Sequence, residues 1–494
     1  MKCDEAQPTC LRCEGSKRVC GGYRTAPCGS FSWNHLLRVR PSIIPSSTSG
    51  SSTELRGLDY FRGVVAPALA SPLGTAFWTR LVLQLAIQEP ATRHAVLAIS
   101  SFYERFDPFA YSPRPSEDDV GLRHYNQALG QVAMSKHLGA DTVVFISVLF
   151  TCIEFLRGDV IAAIQHCRHG IHILKSMDHD SPDVSAIFHH LSIFPYFFGA
   201  TLSDFPIPQT RKHVTSNIDN IAQAAEILDC LMSSSVRLVR AFDPFRLSAV
   251  DVTEMPPSLI STQEELCQDL DSWRTGFSIL KDQVESSAES RILLRNLEMR
   301  WLVCNIWVHI ASCPDEMGCD AYRDQFERIV ELAREDAASR KLCKTGKPTV
   351  FKFEMGLSPL LHFVVIKCRF LRLRLEALAL LSTLACARES LWDASLMYGI
   401  GHCIIEREHG IKLPARLVEH GFEHVRLDDP PPCDRRRIRD SYLEDEMQLH
   451  VDYDGSSMTR RRIVLFVHSD ARRGIVTVRD WIYLPEKGSA SRHH

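Results

Sequence analysis

From Glu54 onward, apolar side chains return every three or four residues, the spacing that gathers them on one face of a helix. Phe77, Trp78, Leu81, Val82 and Leu85 share such a face. Pro90 then stands where a first-turn proline belongs, and Ala95, Val96, Ile99, Phe102, Tyr103 and Phe106 form the next stripe. After a polar loop at Pro108 to Asp119, the pattern predicts three helices in quick succession over 121–138, 141–157 and 159–176. The last carries Val160, Ile164, Cys167, Ile171 and Leu174 as its stripe. Connections this short imply antiparallel neighbours.

The middle of the chain continues in the same way. Thr262 and Glu265 have capping-box spacing in front of Leu266, Leu270, Trp273, Phe277 and Leu280. Further helices are predicted over 289–312, 320–340 and 357–386. The tail changes period: Met447, Leu449, Val451 and Tyr453 alternate, followed by Ile463, Leu465 and Val467, a turn through Ser469 to Gly474, and Ile475 to Tyr483. Alternation at period two predicts a small β hairpin or three-stranded sheet. Residues 24–53, with PSIIPSSTSGSST, concentrate Ser, Pro, Thr and Gly without apolar period, and read as a flexible linker. No sustained heptad runs through that linker, so a coiled-coil dimer has no support there and the oligomeric state stays open.

Composition sets outer bounds on this helical picture. With 494 residues, 45% hydrophobic and 24% charged, the chain has ordinary globular content and length for about three domains. A net charge of -3 means that any contact with nucleic acid has to come from a local basic patch. The longest apolar run, Thr142 to Leu156, is interrupted by Glu154 and falls short of the roughly 18 residues a membrane span requires. It is read as a buried helix. No charged start leads into an apolar core, so a secretory signal is not expected and a reducing, intracellular environment is. Most of the 17 cysteines scatter singly through apolar stretches, as at Cys152, Cys304 and Cys368, and read as small buried hydrophobes.

The first twenty-three residues differ. Cys3, Cys10, Cys13 and Cys20 are separated by six, two and six residues, and a two-residue gap lets a tight turn aim two thiolates at one metal. Soft thiolates favour tetrahedral zinc, and a peptide this short would fold as it binds. With Asp4 after the first cysteine, Pro8 before the second and Cys20-Gly21-Gly22-Tyr23 at the end, the stretch resembles the second half of the fungal six-cysteine binuclear zinc cluster, a DNA-binding module of transcription factors. The resemblance makes Cys3 the third cysteine, Cys10 the bridging fourth, Cys13 the fifth and Cys20 the sixth. It implies zinc as cofactor, DNA as partner, Lys2, Arg12, Lys17 and Arg18 as DNA contacts, and the nucleus as location. The first two cysteines and the Arg/Lys-rich helix of that family have no counterpart, and only Lys2 remains of that stretch. The expectation is a start codon placed inside the motif with an upstream exon missing, and second to it a truncated regulator. As written, the four thiolates either divide between two ions sharing Cys10 or close around one.

A second stretch adds an independent resemblance. YFRGVVAPALA, FWTRLVLQLAIQEPATRHAVLAISSFYE, HYNQAL and ADTVVFISVLFTCIEFLRGDVIAAIQHCRHGIHIL are similar to the fungus-specific regulatory domain that follows the zinc cluster in many of these factors, and residues 367–394 resemble its later part more loosely. The implied organisation is a mainly α chain: 1–23 partial zinc-cluster module, 24–53 linker, 54–410 helical regulatory domain, and 411–494 tail with a β hairpin. Co-regulators or the transcription machinery are the implied protein partners.

Other chemistry-bearing residues have blander readings. His166, Cys167, His169 and His172 crowd one helix, but Cys167 lies on the buried stripe and the histidines flank it. His189-His190 and the set Glu419, His420, Glu423 and His424 lack the order of zinc hydrolases and read as surface or helix-end residues. Arg435, Arg436, Arg437 and Arg439, with Arg460, Arg461 and Arg462, read as solvated charge beside the hairpin, ahead of a nuclear-import or phosphate-contact patch. No phosphate-binding glycine loop follows a strand, and there is no nucleophile elbow or dinucleotide fingerprint. An enzyme therefore has no support in the motifs. The reading is a zinc-dependent regulator of transcription at RNA polymerase II promoters. The alternatives are a regulator acting through protein contact alone and a helical small-molecule-binding protein with vestigial cysteines.

Overall fold

A computed structural model describes residues 51–484 apart from 71–75, 108–118, 136–137, 178–181, 203–204, 206–216, 248–254, 285–286, 343–348, 415–416, 418–429, 452–456 and 470–473. The chain is mainly helical, with a small three-stranded sheet close to the C-terminus, as its periodicity predicts. It opens with α1 (Ser52–Tyr60), a π-helical turn (Phe61–Val65) and α2 (Ala66–Leu69). Ser51 and Glu54 close a reciprocal capping box at the start of α1, two residues before the predicted boundary. A second π-helical turn (Phe77–Leu81) leads into α3 (Val82–Gln88) and then α4 (Pro90–Glu104), with Pro90 at the first helical position. The Phe77, Trp78, Leu81, Val82 and Leu85 stripe is buried throughout.

The three predicted helices follow as α5 (Val120–Met134), α6 (Ala140–Arg157) and α7 (Val160–Ser176). Helix α6 is apolar on nearly all sides and is sheathed by α4 and α7, as a helix without a polar face must be. Gly158, at φ 74°, ends it in the left-handed region and Asp159 caps α7 by accepting from Ala162 N at 3.0 Å. Among the described residues, no helix is long and apolar enough to cross a membrane. Cys152, Cys167, Cys304 and Cys368 are buried, and burial pushes the thiols of Cys304 and Cys368 up to about 12.

After α8 (Pro182–Leu191), a second layer is built from α9 (Ile221–Leu247), α10 (Pro257–Gln283), α11 (Ala288–His309) and α12 (Arg323–Leu342). The capping box expected at Thr262 and Glu265 is absent. Pro257 already occupies the first turn of α10, so Thr262 lies inside the helix and its hydroxyl donates back to Ser258 O at 2.8 Å. The helix expected over 357–386 is two: α13 (Ser358–Lys367) and α14 (Leu371–Leu384), broken at Cys368 and Phe370, whose backbones are extended. The break has a cause. Arginines supply the donors that a continuous helix would have supplied, Arg369 to Lys367 O at 2.6 Å and Arg374 to Val365 O at 2.7 Å.

A short sheet of β1 (Phe351–Lys352), β2 (Arg388–Glu389) and β3 (Trp392–Asp393) leads to α15 (Ala394–His409). Buried Glu389 accepts from Gly356 N and Ser358 N, both at 3.0 Å, and so caps the start of α13. The tail folds as an antiparallel meander of β4 (Ile438–Val451), β5 (Ser457–Ser469) and β6 (Gly474–Leu484). Ile438, Ile463, Leu465, Ile482 and Leu484 pack with Ile404 of α15 in a core of their own. Leu449 and Val451, part of the alternation that announces the strand, are exposed: β4 is one edge of the sheet, and α15 packs against β6 at the other.

Candidate functional site

Cys3, Cys10, Cys13, Cys20, Lys2, Arg12, Lys17 and Arg18 lie outside the described residues, as do Glu419, His420, Glu423 and His424. The histidine-rich helix is α7. Its His166 is half-buried, with Nε2 2.8 Å from the Tyr125 hydroxyl and its ring against Phe150, while His169 and His172 are exposed. Burial, then the neighbouring His169, pushes His166 down to about 4. At the end of α8, His190 reaches Asp229 at 3.4 Å, and Asp229 also accepts from Arg300. Burial alone would raise Asp229; the Arg300 charge and His190 outweigh it and hold the carboxyl at about 2.

The arginine run at Arg435 to Arg439 is the clearest correction to the sequence reading. Arg437 is 0% exposed and Arg439 is 6% exposed, so neither is solvated charge. Arg437 donates to Pro432 O, to Glu316 O and to both oxygens of Asp320. Arg439 donates to Pro314 O at 3.0 Å and to Asp434 at 2.7 Å. The physical reason is supply of partners: acids and carbonyls between residues 314 and 320 face the first residues of β4, and a buried guanidinium with every charge answered is tolerated. Arg461 and Arg462, by contrast, pair with Asp445 and Glu446 on the outer sheet, and Arg460 and Arg462 flank the Trp481 ring.

These arginines belong to a larger ionic core. Glu316 accepts from Lys367 Nζ at 2.9 Å and from Arg246 at 3.3 Å, with Arg369 at 3.3 Å. Glu408 accepts from Arg374 at 2.5 Å, Arg369 at 3.2 Å and Ile438 N at 2.7 Å. Burial drives both carboxyls up, yet the surrounding cations dominate and hold them below the usual carboxylate range. One cluster thus joins α9, the break between α13 and α14, α15 and the first strand of the tail sheet. Its chemistry is structural: Glu316 and Glu408 each answer two or more buried cations.

A different arrangement stands at the other end of the molecule, and the motifs did not indicate it. His94 of α4 and His124 of α5 face each other with their Nδ1 atoms 3.1 Å apart and their rings stacked at 22°. Glu54 of α1 completes the group, one ligand-type atom from each residue lying within 4.8 Å of the others. Asp119 fixes the start of α5 through Gly121 N and Leu122 N, and Ser100 ties α4 to α1 by donating to Gly57 O at 3.0 Å. Burial pushes both imidazoles down, so each is neutral near pH 7. His94 and Gln127 also line an open cleft of about 620 Å³ between α4 and α5, with Met134 and Leu138 on its wall. Among the described residues this is the one group of three metal-capable side chains. Its members are 40 and 30 residues apart in the chain, so no short spacing could have revealed it.

The described residues build a mainly helical body with a small three-stranded sheet close to the C-terminus. A model of the fungal specific transcription factor domain matches residues 56–312, just over half of the chain, and the chain belongs to that family. It is similar to the aspercryptin biosynthesis cluster-specific transcription regulator atnN of Emericella nidulans, at 20% identity over 386 residues covering 68% of this chain and 62% of that protein. It is also similar to the transcription regulator lscL of Purpureocillium lilacinum, at 28% identity over 195 residues, 35% of this chain and 46% of the relative. A further relative is an uncharacterized transcriptional regulatory protein of Schizosaccharomyces pombe, at 29% identity over 119 residues covering 20% of this chain and 22% of that protein. The chain thus spans less than two thirds of the length of each of these relatives. No solved structure matches it.

Proposed function

We propose that the chain is a zinc-dependent, sequence-specific regulator of transcription at RNA polymerase II promoters, acting in the nucleus, in which residues 1–23 supply the second half of the DNA-binding module. The observation that carries this reading is order: cysteines spaced six, two and six at residues 3–20 precede a body that belongs to the fungal specific transcription factor domain family. Three relatives named as transcription regulators support it. In this reading Cys3, Cys10, Cys13 and Cys20 hold zinc, while Lys2, Arg12, Lys17 and Arg18 neutralise DNA phosphates. Residues 54–410 form the regulatory domain, which meets co-regulators or the transcription machinery.

The test is selection from a random-sequence DNA pool with the endogenous protein as isolated from its cells, zinc-loaded and chelator-stripped, followed by a salt titration of the selected sites. Zinc-dependent binding whose affinity falls steeply with salt is expected, because each neutralised phosphate releases counterions. Absence of DNA binding at low salt would favour a regulator working through protein contact alone. Stripping zinc without changing the fold or a bound small molecule would favour a ligand-binding protein instead.

A further inference from the structure

We propose that Glu54, His94 and His124 form a binding site for one divalent transition-metal ion of the zinc class, separate from the amino-terminal cysteines. Three helices each contribute one donor, and the donors are of the right kind. Two imidazoles and a carboxylate suit zinc, cobalt(II) or iron(II) and disfavour calcium and magnesium, which seek all-oxygen shells.

The geometry is close to a loaded site. Zinc–nitrogen bonds of about 2.0–2.1 Å at a tetrahedral angle separate two ligand nitrogens by about 3.3 Å. The Nδ1 atoms of His94 and His124 are 3.1 Å apart, so a shift of a few tenths of an ångström admits an ion. Without an ion, one ring has to carry its proton on Nδ1 and donate to the other; with one, both Nδ1 lone pairs point at the metal. The carboxylate has further to travel, up to 4.8 Å being the present spread, but Glu54 is half-buried on a first helical turn with three rotatable bonds. The neighbouring cation Arg93 is turned away, donating to Ala86 O and Ile87 O. Three protein donors leave the fourth position to water or an anionic group.

Bound there, the ion staples α1 to the α4–α5 pair. Helix α1 begins next to the linker, so the staple would fix the point from which the amino-terminal segment departs. Removing it frees α1 while leaving the ionic core around Glu316 and Glu408 intact.

The experiment uses the full chain carrying Cys3→Ser, Cys10→Ser, Cys13→Ser and Cys20→Ser, so that those thiolates do not compete. Zinc is titrated against a chromophoric chelator, and thermal unfolding is followed with and without zinc. One ion per chain is expected, with a rise in the unfolding midpoint as zinc exceeds its dissociation constant. Glu54→Gln is the decisive variant, because glutamine preserves the capping box with Ser51 and changes only the donor. It is expected to weaken zinc at least by the roughly tenfold loss that removal of an outer partner causes, and His94→Gln with His124→Gln to abolish it. Zinc binding of equal affinity and stoichiometry in the parent and Glu54→Gln, or no binding by the parent, overturns the proposal. Since Glu54→Gln alone decides the matter, poor folding of the histidine variants leaves the test intact.

Discussion

Arg437 donates two hydrogen bonds to Asp320, 2.9 Å to Oδ1 and 2.7 Å to Oδ2, across 117 residues of sequence. The guanidinium is 0% exposed and also holds Glu316 O at 2.7 Å. It therefore fastens the entry of the tail sheet to the turn ahead of α12. Removing one partner of a buried pair costs about 3–5 kcal/mol, and Asp320, at 25% exposed, recovers part of this from water. Arg437→Met is expected to destabilise the protein by about 3 kcal/mol in denaturant unfolding. Faster hydrogen exchange in β4 to β6 than in α6 should accompany it. Equal protection of both regions would mean that the pair does not anchor the sheet.

Glu408 is the more severe position. Its carboxylate answers two fully buried guanidiniums, Arg369 and Arg374, as well as Ile438 N. Glu408→Gln leaves both cations short of charge in a dry site, and a loss of about 3–5 kcal/mol is expected. Arg374→Met should cost less, about 1–3 kcal/mol, because Glu408 keeps Arg369 and Ile438 N, although Val365 O, Glu408 Oε2 and His409 Nε2 all lose Arg374. Urea unfolding of the two variants checks the ordering, and a reversed order would show that the cations, not the acid, organise the cluster.

How far the sequence discloses this molecule depends on whether the signal is local. Helices α4, α6 and α7 are legible because their stripes and caps lie within one segment: Pro90 opens α4, and Gly158 and Asp159 punctuate α6 and α7. The ionic core is not legible, because Arg437 looks like solvated charge until Asp320 and Glu316 are brought to it by the fold. The break at Cys368 to Phe370 is hidden for the same reason. An apolar run predicts one helix, and only Glu316, Glu408 and the Ile438 carbonyl make the interruption favourable. His94 and His124 each stand among other polar positions of their helices, beside Arg93 and Arg123, and nothing in either segment marks the other as its partner.

His362 carries a pH signature. Burial pushes it down to about 4, although a backbone hydrogen bond at Met397 opposes this, and its Nδ1 is buried without a hydrogen-bond partner. In the unfolded chain a histidine titrates near 6.5. Between pH 6.5 and 4 the unfolded state therefore binds the extra proton, so this residue's contribution to stability is lost as the pH falls through that window. One pH unit of separation corresponds to about 1.4 kcal/mol, giving up to about 3 kcal/mol in all. The comparison is unfolding of wild type and His362→Gln at pH 7 and pH 4.5: the variant is expected to lose less stability on acidification. Parallel losses would place the acid sensitivity elsewhere.

Two glycines offer a test of packing in which opposing effects can be weighed. Alanine gains roughly 1 kcal/mol over glycine inside a helix from propensity alone. At Gly130, on the exposed side of α5, an added Cβ meets nothing within 4 Å, so Gly130→Ala is expected to stabilise by about that amount. At Gly170 of α7 the same Cβ would lie 2.3 Å from Cζ of Phe188, a ring that is 0% exposed and held by the main core. The ring cannot swing into solvent, so α7 and α8 have to separate, and overpacking of this kind costs about 1–3 kcal/mol. The clash outweighs the propensity gain, and Gly170→Ala is expected to be net destabilising. Thermal unfolding of the two variants should move in opposite directions. A stabilised Gly170→Ala protein would mean that Phe188 and α8 are held less tightly than their burial implies.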